Sequence, residues 1–469
     1  LRDALIPFTE EEGNWLFGDV WAARDAYIDV ILDRSESAVK RFLKARQNHE
    51  LTAEERVRAL KLMEMQRHAQ LMYTSCGWFF DDISGIETVQ VIAYAARVLQ
   101  LAQELFGERV AGLQPAFLAQ LKDAGSNDAK AGDGARIYGN AVSRMKVGLE
   151  QVAAHYAISS MFSAFGDETE IYSYCVRRLE QEIFTSGRGR LGVGKADVTS
   201  EITGDQQMFQ FAVLHLGDQN ITAAVKPYSS EDEEAFARFS SEAADSMQRA
   251  DIAGIVRLLD RTFERLDYSL TSLFLDDQRR IVRMILNTTL GNIEDALMTI
   301  YEDHESLLHY LSQSGLQKPP ALTLAAGFAV NAGVRRAIES DPVDQAQLKS
   351  FLSRAKADQV QLETANLSYI ADQRMKRAMV ELQGTPTLET LDRAYGLARA
   401  LADLPIDHNL WQAQNIWYDL LRHEPQTLSA LTTEERARWD EEFTVLGECL
   451  AFDTASIRVQ DPAATTVGD

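Results

Sequence analysis

The sequence predicts a mainly α-helical protein, a helical bundle into which a small antiparallel β-meander of about three strands is inserted. Three observations carry this. Apolar residues recur at three- and four-residue spacing over most of the chain, helix-start signals repeat ahead of those runs, and the period turns to alternation only over residues 187–227. The division that follows is an N-terminal helical bundle over 1–185, the meander over 186–228, a C-terminal helical region over 229–453 and a flexible tail over 454–469.

From Ala22 to about Thr185 the spacing is helical. Thr52 with Glu55 has the capping-box form, in which each side chain satisfies the other residue's backbone N–H, and Ser84 with Glu87 repeats it. In the helix that Ser84 opens, Val89, Ala93 and Ala96 line one side and Val91, Ala95, Val98, Ala102 and Leu105 another, so most of its circumference is expected to be buried. Residues 124–139, rich in Gly, Asp, Asn and Ala, read as an exposed loop. Helical spacing then resumes through Val142, Met145, Leu149, Val152 and Tyr156.

Three strands are expected at 191–202, 208–216 and 221–226, with Gly204-Asp205 and Gly217-Asp218-Gln219-Asn220 as turns. Connections this short join antiparallel neighbours, and a meander alone is marginal, so it must pack on helices. Ser230 with Glu233 has the capping-box form again, and helical spacing runs on to about Cys449. Breaks are expected at Lys318-Pro319-Pro320, Asp341-Pro342, Gly384-Thr385-Pro386 and Leu404-Pro405. The last residues are small and polar, which predicts poor order.

With 469 residues, 46% of them hydrophobic, the chain can bury one large core or two to three smaller ones without staples. It opens on Leu1 with no signal-peptide pattern and reads as a piece of something longer or a processed product. The longest apolar stretch, 321–334, is too short to cross a bilayer and is interrupted by Asn331, so no membrane partner is expected. Cys76, Cys175 and Cys449 stand far apart, which predicts neither a zinc site nor a disulfide framework and fits a reducing cytoplasm. A net charge of −23 repels nucleic acid and anionic lipid. It leaves neutral glucans open as partners, because sugars are recognised by aromatic faces and hydrogen bonds. No metal and no cofactor is called for.

The run from Tyr73 to Glu87 holds Trp78, Phe79, Phe80, Asp81 and Asp82. Three consecutive rings cannot all face one core, since neighbouring side chains point apart in helix and strand alike. A ring left at a cleft can stack on a sugar while Asp81 or Asp82 accepts hydrogen bonds from its hydroxyls. Trp78, Phe79, Asp81 and Asp82 are therefore the candidate substrate-binding residues. The competing reading has Trp78 and Phe80 anchoring two helices and the aspartates favouring a positive helix N-terminus. Other signals read as structural. His215 is a packing histidine at a strand end, and His304 and His309 lack HExxH spacing. Cys76 has no histidine near it in sequence, and the glycines at 187–194 precede a strand without a Gly-Lys-Ser/Thr ending.

These residues resemble a known family. Trp21-Ala22-Ala23-Arg24-Asp25, the run 73–87, Leu214-His215-Leu216-Gly217, Asp267-Tyr268-Ser269-Leu270, Leu273-Phe274 and Asp277-Gln278-Arg279-Arg280 are similar to domain of unknown function 3536. The resemblance implies the C-terminal region of a glycoside hydrolase family 57-like protein, α-amylase or α-mannosidase-like. An N-terminal catalytic barrel of the same polypeptide would hold a glutamate nucleophile and an aspartate acid/base, and the reaction would be retaining hydrolysis or glucan transfer. Retention needs two carboxyl groups roughly 5 Å apart across the sugar. The barrel motifs are not recognisable here, and a helical pattern leaves no room for a series of parallel strands. No catalytic residue is therefore expected in this chain, which by itself should be inactive. Its expected part is scaffold and one wall of a cleft holding an oligosaccharide. The alternatives are a non-catalytic glucan-binding module and a purely structural or interaction role.

Overall fold

A computed structural model describes residues 1–263, 267–402 and 404–457 of the chain. The chain divides into two compact units, residues 1–286 and residues from 287 on.

In the first unit the longer helices are α1 (Arg2–Phe17), α2 (Ala53–Leu71), α3 (Ile86–Phe106) and α4 (Leu149–Ser159). One antiparallel sheet follows in the order β1-β2-β3-β4-β5, with β1 at Glu168–Ile171, β2 at Tyr174–Ser186, β3 at Gly189–Ser200, β4 at Gln206–His215 and β5 at Ile221–Pro227. Helices α5 (Glu233–Gln248) and α6 (Ile252–Phe263) come next, and a 39-residue helix, α7 (Leu275–Gln313), begins before the unit ends.

The mainly helical class holds, but the sheet has five strands where three were expected. β3, β4 and β5 lie where alternation placed them. β1 and β2 occupy a stretch read as helical up to Thr185. Strand β2 carries Arg177, Arg178, Glu180, Gln181 and Glu182, long polar side chains that favour helix locally, and most of its residues are at least partly exposed. Pairing with β3 overrides that preference. The register shifts between Arg178 and Glu180, a bulge that leaves Leu179 without a ladder partner. Opposite it, Gly194 has to be glycine, because a Cβ there would collide with the Glu180 carbonyl oxygen and the Phe211 ring.

Over β3 to β5 both faces of the sheet are covered, which is why most residues of these strands are buried. Val176, Val198, Phe209, Phe211, Val213, Ile221 and Ala223 pack on α4 through Val152, Tyr156 and Ile158. Leu191, Val193, Ala212, Leu214 and Ala224 pack on α5 and α6 through Phe236, Phe239, Ile255 and Phe263.

The caps test the helix-start signals one by one. Thr52 and Glu55 form the full box, Glu55 N donating to Thr52 Oγ1 at 3.2 Å and Thr52 N to Glu55 Oε2 at 2.7 Å. The other two boxes do not form. Helix α3 starts behind Gly85 without a side-chain cap, while Ser84 N donates to Asp82 Oδ1 at 2.7 Å, a local turn that wins over the cap. At the third, Ser229 rather than Ser230 accepts from Glu231 N, and Glu233 accepts from Lys195 Nζ.

The second unit is all helical among its described residues: α8 (Pro320–Glu339), α9 (Gln345–Ala357), α10 (Thr364–Gly384), α11 (Leu388–Ala402), α12 (Trp411–Arg422) and α13 (Thr433–Cys449). Breaks fall at the four expected proline sites, and two more among the described residues, at 358–363 and 423–432, were not expected. Trp417 lies in the core, stacked on Phe443 at 5.1 Å and Phe452 at 4.6 Å. Asn331, the polar interruption of the apolar stretch, accepts from Glu363 N at 2.7 Å and donates to Gln361 O at 3.0 Å, fixing the start of α10. Among the described residues no helix is long and apolar enough to cross a membrane. The expected tail falls outside the described residues from 458 on, and Thr454–Ile457 form a short helical turn.

Candidate functional site

Within the first unit a cleft of about 1070 Å³ is lined by residues of α2 and α3, the segment 141–147, the β1–β2 turn and the segment 267–278. Helix α3 supplies Gln90, Tyr94, Arg97 and Gln100, whose spacing of four, three and three puts them in one stripe. Helix α2 supplies Glu64, Arg67 and His68.

Glu64 is 2% exposed. It accepts from Tyr27 Oη at 2.7 Å, Arg34 Nη1 at 2.7 Å and Arg67 Nη1 at 3.1 Å. Burial pushes its carboxyl up, but the Tyr27 hydroxyl and the Arg34 and Arg67 charges outweigh burial and hold it below the ordinary range. It is an ionised acceptor with both oxygens engaged. Burial first, and then the Glu64 charge, drive the Tyr27 hydroxyl far above the usual phenol range.

The neighbouring His68 places Nδ1 2.8 Å from the Glu64 carbonyl oxygen. A carbonyl only accepts, so Nδ1 carries the proton and Nε2 keeps its lone pair. Burial above all lowers the His68 ring below its ordinary value, with Arg67 and Arg97 adding to it against the pull of Glu64. The ring meets Tyr94 edge-on at 5.9 Å. Arg97 donates to Val147 O at 3.3 Å, beside Gln100 Nε2, which donates to the same oxygen at 3.0 Å.

The segment 267–278 is fastened at both ends. Tyr268 exchanges backbone hydrogen bonds with Ala223 on β5, and its hydroxyl donates to Glu150 at 2.8 Å. Phe274 N donates to His155 Nδ1 at 3.3 Å, and the two rings stack at 4.4 Å. Because a backbone N–H can only donate, His155 Nδ1 is the acceptor, and Nε2–H donates to Asp277 at 3.0 Å. Burial keeps His155 below its ordinary value against the opposing charge of Asp277. Asp277 also receives Arg280 at 2.6 Å.

Between the walls stands Tyr172, on the two-residue turn joining β1 to β2, with φ 55°. A bulky residue in the left-handed region is strained by roughly 1 kcal/mol or more. Its ring meets the Phe274 edge at 5.2 Å. A second hollow of about 610 Å³ shares Arg67, Tyr172, Ser173 and Ile202 with the cleft and adds Arg34 and Glu201.

The segment singled out in the sequence lies elsewhere on the first unit. Trp78 is 75% and Phe79 72% exposed, on a single helical turn at Cys76–Phe79. Neither they nor Asp81 and Asp82 line the cleft. Gly77 lets this turn approach α3, since a Cβ there would stand 2.7 Å from Val91 Cγ2. The helix-anchoring reading of Trp78 and Phe80 does not hold, because both rings are at the surface. Asp82 accepts from Ser84 N, Ser126 Oγ at 2.8 Å and Asn127 N at 2.5 Å, and these donors, Ser84 foremost, hold its carboxyl far below the ordinary range. It clasps the loop at 124–133; the exposed loop expected over 124–139 ends there, because Asp133 caps a helical turn at Gly134–Ile137 and Ile137 and Tyr138 are buried. The Asp81 carbonyl oxygen accepts from Asn127 Nδ2 at 3.2 Å.

Sequence reasoning missed the α3 stripe. Its signal was polar residues at helical spacing, Gln90, Arg97 and Gln100, within the mostly apolar middle of the helix. The segment 267–280 was noticed, but only as a carrier of resemblance. His215 is as expected, its Nε2 3.1 Å from Asp218 O and its ring packed on Phe162.

Chemically, the cleft lining holds the rings of Tyr94, Tyr174, Tyr268 and Phe274, donors on Arg67, Arg97, Arg144 and Gln90, and the His68 ring. Neither of its two carboxylates, Glu64 and Asp267, is free. A family model described as Domain of unknown function (DUF3536) matches residues 1–274, a span that takes in every cleft residue except Leu275 and Gln278. No curated protein and no solved structure matches the chain. With more than half its length matched, cleft included, the chain belongs to the DUF3536 family.

Proposed function

We propose that this chain is the helix-rich portion of an α-glucan-active enzyme of glycoside hydrolase family 57 type, and that its cleft is a wall against which an oligosaccharide lies. The nucleophile and the acid/base belong, in this reading, to an N-terminal barrel of the same polypeptide, in the cytoplasm. The observation that carries the proposal is the cleft lining: tyrosine rings and planar donors share the walls of a volume of about 1070 Å³. Small-ligand sites span roughly 300–1,000 Å³ with a few placed polar groups. Sugars present both an apolar ring face and a rim of hydroxyls, which such a lining matches.

Trp78 and Phe79 offer a second stacking surface outside the cleft, with Asp81 beside them, whereas Asp82 is committed to its loop. A glucan-binding module without catalysis is the second reading. It is favoured by the engagement of both lining carboxylates, since retaining chemistry needs a free pair about 5 Å apart.

Calorimetry of the chain with maltoheptaose and glycogen tests the proposal. Saturable heat is expected, with affinity falling roughly tenfold in Tyr94→Ala as one ring contact is lost. Absence of heat at millimolar sugar would remove both the wall and the module.

A further inference from the structure

We infer that the cleft takes an anionic sugar, its phosphate or carboxylate held at Arg97 and Arg144 and its ring laid on the tyrosine faces. This rests on the carbohydrate reading above and shifts it from a neutral glucan to a sugar that carries an anionic group.

The charge of the lining runs against that of the chain. The whole sequence carries −23, yet the cleft is lined by Arg67, Arg97, Arg144 and Lys146 against Glu64 and Asp267. Two of the four cations are already engaged. Arg67 is shared with Glu64, and Lys146 donates to Gln114 at 2.9 Å under the Tyr138 ring. Arg97 and Arg144 have no carboxylate within ion-pair distance among the described residues. Arg97 is half-buried, and a partly desolvated guanidinium without a counter-ion is costly unless something supplies the negative charge.

Glu64 does not supply it. Tyr27, Arg34 and Arg67 surround its oxygens, so its charge is spent on them. The Arg97 charge instead acts on His68 and on the Tyr174 hydroxyl, both of which line the cleft. Val147 takes one of the five guanidinium N–H groups of Arg97, and the planar fork suits a phosphate or carboxylate. The His68 Nε2 lone pair adds an acceptor for a sugar hydroxyl. Buried Gln100 Oε1, which also lacks a partner among the described residues, adds a polar group at the same wall.

The experiment is calorimetry of the full chain with glucose 1-phosphate, glucuronate, inorganic phosphate and maltose, repeated for Arg97→Gln, Arg144→Gln and Tyr94→Ala, each checked for folding by circular dichroism. The expected result is that at least one anionic sugar binds tenfold or more tighter than maltose. Its affinity should drop at least tenfold in Arg97→Gln and weaken with added salt, with inorganic phosphate weaker than the sugar phosphate. Arg144→Gln, at an exposed position, reads the same loss if Arg97→Gln does not fold. Maltose binding as tightly as the anionic sugars, indifferent to both arginine variants, overturns this inference and leaves the carbohydrate reading intact. Inorganic phosphate binding as tightly as glucose 1-phosphate, with Tyr94→Ala silent, marks an anion seat without a sugar and overturns both. So does the absence of heat with every probe.

Discussion

Tyr94 lines the cleft from α3 and Tyr268 and Phe274 from the segment 267–278, and the groups around them are fixed by neighbours: Glu64 by three donors, Phe274 by His155, which Asp277 holds from behind. Trp78, Phe79 and Phe80 instead follow one another on one turn and its exit, with their rings at the surface, and Asp82 spends its oxygens on a loop. The residue types are alike and the construction is opposite. Density in the sequence gives an exposed element, while convergence of dispersed positions gives a pre-organised pocket. Pre-organisation reduces the ordering cost of binding, which is why the cleft rather than the aromatic run is the better ligand site.

The largest expected effect lies on the cleft side. Glu64→Ala strips the counter-charge from Arg34 and Arg67 and leaves the buried Tyr27 hydroxyl with only Arg34. Because Arg34 is partly exposed, the cost should be about 2–4 kcal/mol rather than the full penalty of a broken buried pair, and thermal unfolding of the first unit reads it. A loss no greater than that of a surface mutation would place the cluster outside the fold's support.

Next comes pH. The folded-state pKa of His155 lies below its ordinary 6.5, so the unfolded chain takes up the proton first as pH falls. The stability it contributes is complete above 6.5 and is lost as pH drops toward the depressed value. Denaturant titrations at pH 7 and pH 5 should show this loss, and His155→Gln should lessen the difference. An equal pH dependence in the variant would exclude His155 as its source.

Tyr172→Gly should relieve the left-handed backbone and forfeit the ring contact, leaving stability within about 1 kcal/mol of the parent. Sugar affinity should nevertheless fall severalfold. Lost stability with unchanged affinity would reverse that assignment. The smallest effect is expected at the exposed run, where Trp78→Ala should stay within about 0.5 kcal/mol of the parent in a denaturant midpoint.

The same contrast explains what the sequence made legible. β3 to β5 were readable because their alternation, bounded by the turns at Gly204-Asp205 and Gly217-Asp218-Gln219-Asn220, is a local pattern. β2 was not, since Arg177 to Glu182 look helical until β3 pairs with them. The Thr52 cap was readable because its box is local, whereas the Ser84 box lost to Asp82, whose carboxylate is also held by Ser126 Oγ and Asn127 N far along the chain. The cleft depends on contacts such as Phe274 with His155, 119 residues apart, that no local pattern announces.

Hydrogen exchange with and without saturating sugar tests the central claim most directly, using maltoheptaose and glucose 1-phosphate in parallel. The account predicts slowed exchange over residues 90–100 and 267–278, with residues 76–82 little changed. Protection confined to 76–82, or none at saturation, would contradict it.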